Sequence, residues 1–283
     1  MKAIRTFFLR GIMPAVSVVR LQEQIATLIG RMNRPLDFYR ALADLLDTYG
    51  DHAYRAGESV TGVSILPSYH VPPLVWRQME VSLAQAAKRF PRQALDIIPL
   101  LWADEHREMR QIAAWMLGHI PISEASAVVE TLQQLVISDV DLTLMRMLLD
   151  KGTLTLRREG EETLLRLIEN WHNHEQPIYR RAGLFLCEVL VSDPSWENLP
   201  AIFRLLQPLT EKPEPVWLND LVGVFQKLAE RSPSEVSYFL RQALYRGKNP
   251  MTGRLVRKVI SFLPEAMGEG LKKAARQTSR ASD

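Results

Sequence analysis

The chain has one cysteine, Cys187, which excludes an intramolecular disulfide and fits a reducing compartment. It sits inside the apolar run Leu184-Phe-Leu-Cys-Glu-Val-Leu190 and reads as a small core hydrophobe rather than a nucleophile. Glycine is sparse, at 14 of 283 residues, and no strand pattern appears beyond short ambiguous runs such as Val60 to Leu66. There is also no run of about 18 uncharged apolar residues, so no membrane span is expected. Near the N-terminus Lys2 and Arg5 precede Thr6-Phe-Phe-Leu9, but Arg10 interrupts the run and no small-residue cleavage site follows. The expectation there is an N-terminal helix in a cytoplasmic protein. The chain lacks a Gly-x-x-x-x-Gly-Lys-Ser/Thr loop, a Gly-x-Gly-x-x-Gly turn and a Gly-x-Ser-x-Gly elbow. His172 and His174 stand two apart in a turn with only Glu175 beside them, so they read as solvent-exposed. No metal and no cofactor is expected.

What the sequence does contain is helix. Apolar residues recur at helical spacing over roughly 15–32, 35–49, 72–89, 91–103, 104–118, 123–138, 140–150, 160–171, 177–192, 196–209, 215–230, 233–246 and 250–263. Pro35, Pro72, Pro73, Pro91, Pro177, Pro215, Pro233 and Pro250 fall at or near helix starts, where a missing N–H costs little. Ser232-Pro-Ser-Glu235 has capping-box spacing. From about residue 91 the helices pair, with pair starts near 91, 125, 161, 197 and 233. That rhythm predicts an all-α fold, a HEAT-like α-solenoid in which each pair covers its neighbour's apolar face. A single domain is expected over 1–270, with N-terminal helices and a long connection in 1–71 and the repeat array in 72–270. Residues 50–71 hold turn formers and no helical stripe, and 271–283 read as a flexible basic tail.

The segment Leu100-Leu-Trp-Ala-Asp-Glu-His-Arg-Glu-Met-Arg-Gln-Ile-Ala113 reads as one helix ending and another starting. Asp104 stands at the N-cap and Arg107 and Arg110 on a solvated face. Charge is uneven along the chain. Residues 1–100 carry 12 Lys/Arg against 8 Asp/Glu, 101–200 carry 9 against 16, and 201–283 carry 14 against 8. The basic character gathers toward the ends, which makes nucleic acid a reasonable partner.

Three segments, in order, carry a resemblance: Leu66-Pro-Ser-Tyr-His-Val-Pro-Pro-Leu-Val-Trp76, the 100–113 segment, and Trp171-His-Asn-His-Glu-Gln-Pro-Ile-Tyr-Arg-Arg-Ala-Gly-Leu184. Together they resemble the bacterial DNA alkylation repair (AlkD-like) family over about residues 60–265. The resemblance implies a HEAT-like superhelix that wraps duplex DNA in a basic concave groove. Its active members cleave the glycosidic bond of alkylated purines, with an aspartate stabilising the positive charge that develops on the sugar. Arg181 falls on the family's arginine. The stretch matching the catalytic aspartate contains no tryptophan and puts Leu144 or Met145 at that position, with Asp141 about one turn away. Val224 stands where a second tryptophan belongs, and Trp217 lies on another part of the helix.

A second signal comes from the residues themselves. Between Glu235 and Glu265 no acid occurs, yet Arg241, Arg246, Lys248, Arg254, Arg257 and Lys258 do, interleaved with Tyr238 and Tyr245. Such cations suit phosphates. Arg180 and Arg181 join them as candidate DNA contacts, although pairing with Glu175 or Glu188 is the structural alternative. Asp139 and Asp141 are candidate helix caps, and Asp141 or Asp150 is the candidate catalytic carboxylate. The tryptophans read mainly as packing, with Trp102 and Trp171 placed to face a groove. The leading expectation is therefore a DNA-binding solenoid that engages duplex or distorted DNA without excising bases. An alkylpurine glycosylase and a scaffold for a protein partner are the alternatives.

Overall fold

Prolines stand in the first two positions of seven of the α-helices in the computed structural model, which describes residues 17–51, 66–138, 141–246 and 249–280. The first seven are α1 (Val18–Ile29), α2 (Pro35–Tyr49), α3 (Pro73–Arg89), α4 (Pro91–Trp102), α5 (Arg107–Leu117), α6 (Ala125–Ser138) and α7 (Leu142–Gly152). The rest are α8 (Leu154–Glu159), α9 (Glu161–His172), α10 (Pro177–Ser192), α11 (Leu199–Glu211), α12 (Leu218–Arg231), α13 (Pro233–Arg246), α14 (Pro250–Val259) and α15 (Glu265–Arg280). No strand occurs among the described residues, so the chain is all-α. Proline at N1 or N2 sacrifices an N–H that has no intrahelical partner anyway. Short polar side chains also cap helix starts, as Ser17 does for α1 and Asp141 for α7.

The helices pack in two series. In one, α1, α3, α5, α7, α10, α12 and α14 each touch the next. In the other, α2, α4 and α6 follow one another, as do α9, α11, α13 and α15. Antiparallel neighbours such as α3 and α4, α9 and α10, or α13 and α14 join the two series. A contiguous core of Leu, Ile, Val, Ala, Met and aromatic side chains runs between them from Leu21 to Ala275. Gly118 shows how close the backbones come: a Cβ there would sit 1.9 Å from the Lys151 carbonyl oxygen, so only glycine fits at the end of α5.

Several local expectations change. Helix α5 starts at Arg107 rather than 104, because Asp104 Oδ1 accepts the His106 N–H (2.7 Å) and holds a turn just ahead of it. Arg110 leaves the solvated face to donate from Nε to the Asp104 carbonyl (2.6 Å). Ser232 N–H is taken by the Leu228 carbonyl (2.7 Å), so it closes α12 instead of completing a reciprocal capping box with Glu235. The expected tail is helical as far as Arg280, since Leu271, Ala274 and Ala275 give α15 a buried stripe against α13 and α14. Residues 281–283 lie outside the described residues, as do 1–16, 52–65 of the long connection, and Asp139.

Candidate nucleic-acid interface

Between α7 and α12, several arginines on one helix pair with acids on another helix or turn. Arg146 of α7 reaches Glu188 of α10 (3.1 Å) and lies over the Phe185 ring. Arg157 of α8, with a side chain only 7% exposed, sits 3.5 Å from both Asp150 and Asp193 and donates to the Asp150 carbonyl (3.0 Å). Burial pushes the Asp193 carboxyl up, but hydrogen bonds from Ser195 and the charge of Arg157 outweigh it and hold it below its ordinary range.

Both arginines singled out on α10 belong to this pattern. Arg180 donates to the His174 carbonyl (2.7 Å) and pairs with Glu214 (3.3 Å). Arg181 pairs with Asp220 (3.0 Å) and lies over Trp217, 5.2 Å from the ring centroid. Their partners are Glu214 and Asp220, not the sequence neighbours Glu175 and Glu188. The reason is packing: α10 abuts α12. Asp141 is likewise occupied, with Oδ1 accepting from Thr143 N–H (2.8 Å) and Leu144 N–H (3.4 Å) at the start of α7. Asp150 faces Lys151 and Arg157.

The acid-free window behaves differently. Arg254, Arg257 and Lys258 are exposed on α14, within about 100° of arc at 3.6 residues per turn. Neither Arg254 nor Arg257 meets a carboxylate among the described residues, while Lys258 lies 3.4 Å from Asn219 Oδ1. Asn219 and Asp220 are neighbours at the start of α12, so Lys258 and Arg181 approach the same helix end. Arg241 and Arg246, by contrast, sit on α13 in the other series. Arg241 lies against Gly270 of α15, and Arg246 lies 3.8 Å from Glu211 at the end of α11. The cations therefore divide between two helix series rather than forming one patch. Lys248 lies outside the described residues.

The exposed aromatics add a signal. Tyr238, Tyr245 and Phe262 are the aromatic side chains more than a third exposed among the described residues, and all three fall in the acid-free window. The tryptophans offered for a groove do not reach one: Trp102 and Trp171 are buried.

Other chemistry has less support. No group of three or more His, Cys, Asp or Glu side chains is placed to hold a metal among the described residues. Cys187 is fully buried, and burial pushes its thiol up to about 12, which leaves it inert. His172 is buried rather than exposed. Desolvation pulls its imidazole down from 6.5 to about 4, the backbone at Leu205 and Gly183 offsetting part of that. It fits only because residue 183 is glycine, where a Cβ would come within 2.6 Å of the ring. His172 floors a groove of about 520 Å³ between α9 and α11 that also holds Glu169 and Arg204.

One polar cluster has no counterpart in the sequence reading. Tyr39 of α2 donates to Asp104 (2.5 Å), the His106 imidazole lies 2.8 Å from the same carboxylate, and Tyr69 stacks on His106. Beside it, Ser68 Oγ–H and His70 N–H converge on the buried Glu108 carboxylate (2.6 and 3.0 Å). Burial raises the Asp104 carboxyl, yet the hydrogen bonds from Tyr39 and His106 prevail and hold it low. The cluster ties α2 and the 66–71 segment to the start of α5. The polar turn in 100–108 was its only trace in the sequence.

No protein-family model matches the chain, and no curated protein matches it.

Proposed function

We propose that the chain is a DNA-binding protein built as a HEAT-like superhelix, which contacts phosphates through α14. The two series of contacting helices support the architecture, and the order of the three segments supports kinship with the DNA alkylation repair family. The observation that carries the function is Arg254 and Arg257: exposed, without a carboxylate partner among the described residues, and inside a window free of acids. Exposed cations that meet no carboxylate, in a stretch of sequence that contains no acid, are available to phosphate oxygens. The buried thiol suits a cytoplasmic setting. Base excision finds less support, because Asp141 already caps α7 and no tryptophan stands beside it.

Binding to labelled duplex and single-stranded DNA, followed from about 50 to 200 mM salt, tests the reading. Affinity should fall steeply as counterion release predicts, and the double variant Arg254→Glu, Arg257→Glu should abolish it. Salt-insensitive binding, or none, overturns it and favours a protein partner.

A further inference from the structure

The phosphate-binding reading leaves open which form of DNA is held, and the exposed aromatics bear on that. On α13, Tyr238 and Tyr245 are 66% and 57% exposed, seven residues apart, with Arg241 between them on the same face. Two helical turns separate the two rings by about 10 Å. Just beyond the end of the adjoining α14, which carries Arg254, Arg257 and Lys258, Phe262 lies about one turn past Lys258.

Large aromatic rings do not stay in water without cost, and elsewhere among the described residues they are buried or half-buried. Cations interleaved with exposed aromatics, in a stretch of sequence free of acids, form a platform on which bases stack while phosphates are neutralised. In duplex DNA the π-faces are occupied by neighbouring base pairs, so the rings would find nothing to stack on. The placement of the cations agrees. Arg241 and Arg246 lie in one helix series and Arg254, Arg257 and Lys258 in the other, across a helical hairpin of contacting helices about 10 Å thick. Duplex DNA, stiff over about 150 base pairs, engages one of these faces as a rod. A single strand bends freely enough to cross from one to the other.

We infer that the α13–α14 hairpin binds single-stranded DNA, with Tyr238 and Tyr245 stacking on unpaired bases and the cations holding the backbone. This rests on the phosphate-binding reading above. Fluorescence anisotropy with oligothymidine and with a duplex of equal length tests it. Oligothymidine should bind more tightly than duplex. Tyr238→Ala with Tyr245→Ala should weaken oligothymidine binding by about tenfold or more, while duplex binding stays constant. The corresponding Tyr→Phe pair should retain the affinity, since stacking needs the ring and not the hydroxyl. Both tyrosines are more than half exposed, and thermal melting of each variant confirms that the fold is kept. If duplex binds at least as tightly and the alanine pair changes nothing, the single-strand inference fails and salt-dependent phosphate binding survives. If neither probe binds in a salt-dependent way, both readings fall.

Discussion

The helices from α7 to α12 and the C-terminal α13–α14 hairpin use the same residue, arginine, for different ends. Between α7 and α12, Arg146, Arg157, Arg180 and Arg181 each meet a carboxylate on another helix or turn, and Arg231 donates to the carbonyls of Val191, Asp193 and Trp196. On α13 and α14, Arg241, Arg254 and Arg257 meet no carboxylate among the described residues. An arginine held by a neighbouring helix fixes how two helices sit. One without a partner fixes nothing internal and is available to a ligand. Substitutions in the middle should therefore change stability, and substitutions in the hairpin should change binding.

The largest effect expected is acid sensitivity of the middle. His172 is neutral when folded, with its pKa near 4, and titrates at about 6.5 when unfolded. As pH falls below 6.5 the unfolded chain takes up a proton that the folded one refuses. Stability is then lost across the window from about 6.5 down to about 4, by about 3 kcal/mol in all. Urea unfolding at several pH values should show this component, and His172→Gln should remove it. Arg157→Ala should cost about 2–3 kcal/mol by the same measurement, because Asp193 and the Asp150 carbonyl lose their partner. DNA affinity should not move; a parallel loss of binding in the folded variant would break the division.

Arg254→Ala with Arg257→Ala is the mirror case. Stability should stay within about 0.5 kcal/mol, as for exposed unpaired side chains, while DNA affinity drops about tenfold and the salt slope shrinks by about two. Arg181→Ala separates the two regions at their closest approach. Its pair with Asp220 is partly screened by solvent, so about 1 kcal/mol of stability should go, with affinity unchanged. If affinity falls as far as in the hairpin variant, Arg181 belongs to the interface after all.

The legible part of this protein was the part written in local rules. Proline at helix starts and the apolar stripes placed thirteen of the fifteen helices, because both signals act within one or two turns. The two that escaped were short α8, whose six residues carry hardly a stripe, and α15, whose charged and polar surface hid Leu271, Ala274 and Ala275. Pairing was less legible. The sequence offered Glu175 and Glu188 to the α10 arginines, and the fold supplied Glu214 and Asp220, 34 and 39 residues away along the chain. A separation of 65 residues likewise hid Tyr39 from Asp104, and the basic window was divided between two faces. An acid-free run is visible in one dimension; the face on which each cation stands depends on which helix lies beside it.

Asp141 draws the comparison to its smallest measurable effect. Its carboxylate bonds the N–H groups of Thr143 and Leu144, and the neutral amide of asparagine caps a helix about as well as aspartate does. Asp141→Asn should therefore leave stability within a few tenths of a kcal/mol, whereas Asp141→Ala should cost about 1 kcal/mol. A carboxylate that stabilised a cationic sugar could not be replaced by an amide, since the charge itself does that work. The two substitutions thus differ for a cap, where asparagine substitutes and alanine does not, but not for a catalyst, where both remove the charge. Release of methylated purines from alkylated DNA, present in the wild type and lost in Asp141→Asn, would move Asp141 from the structural middle of the molecule into an active site. Unchanged melting of Asp141→Asn, with no release from either protein, keeps it where its hydrogen bonds put it.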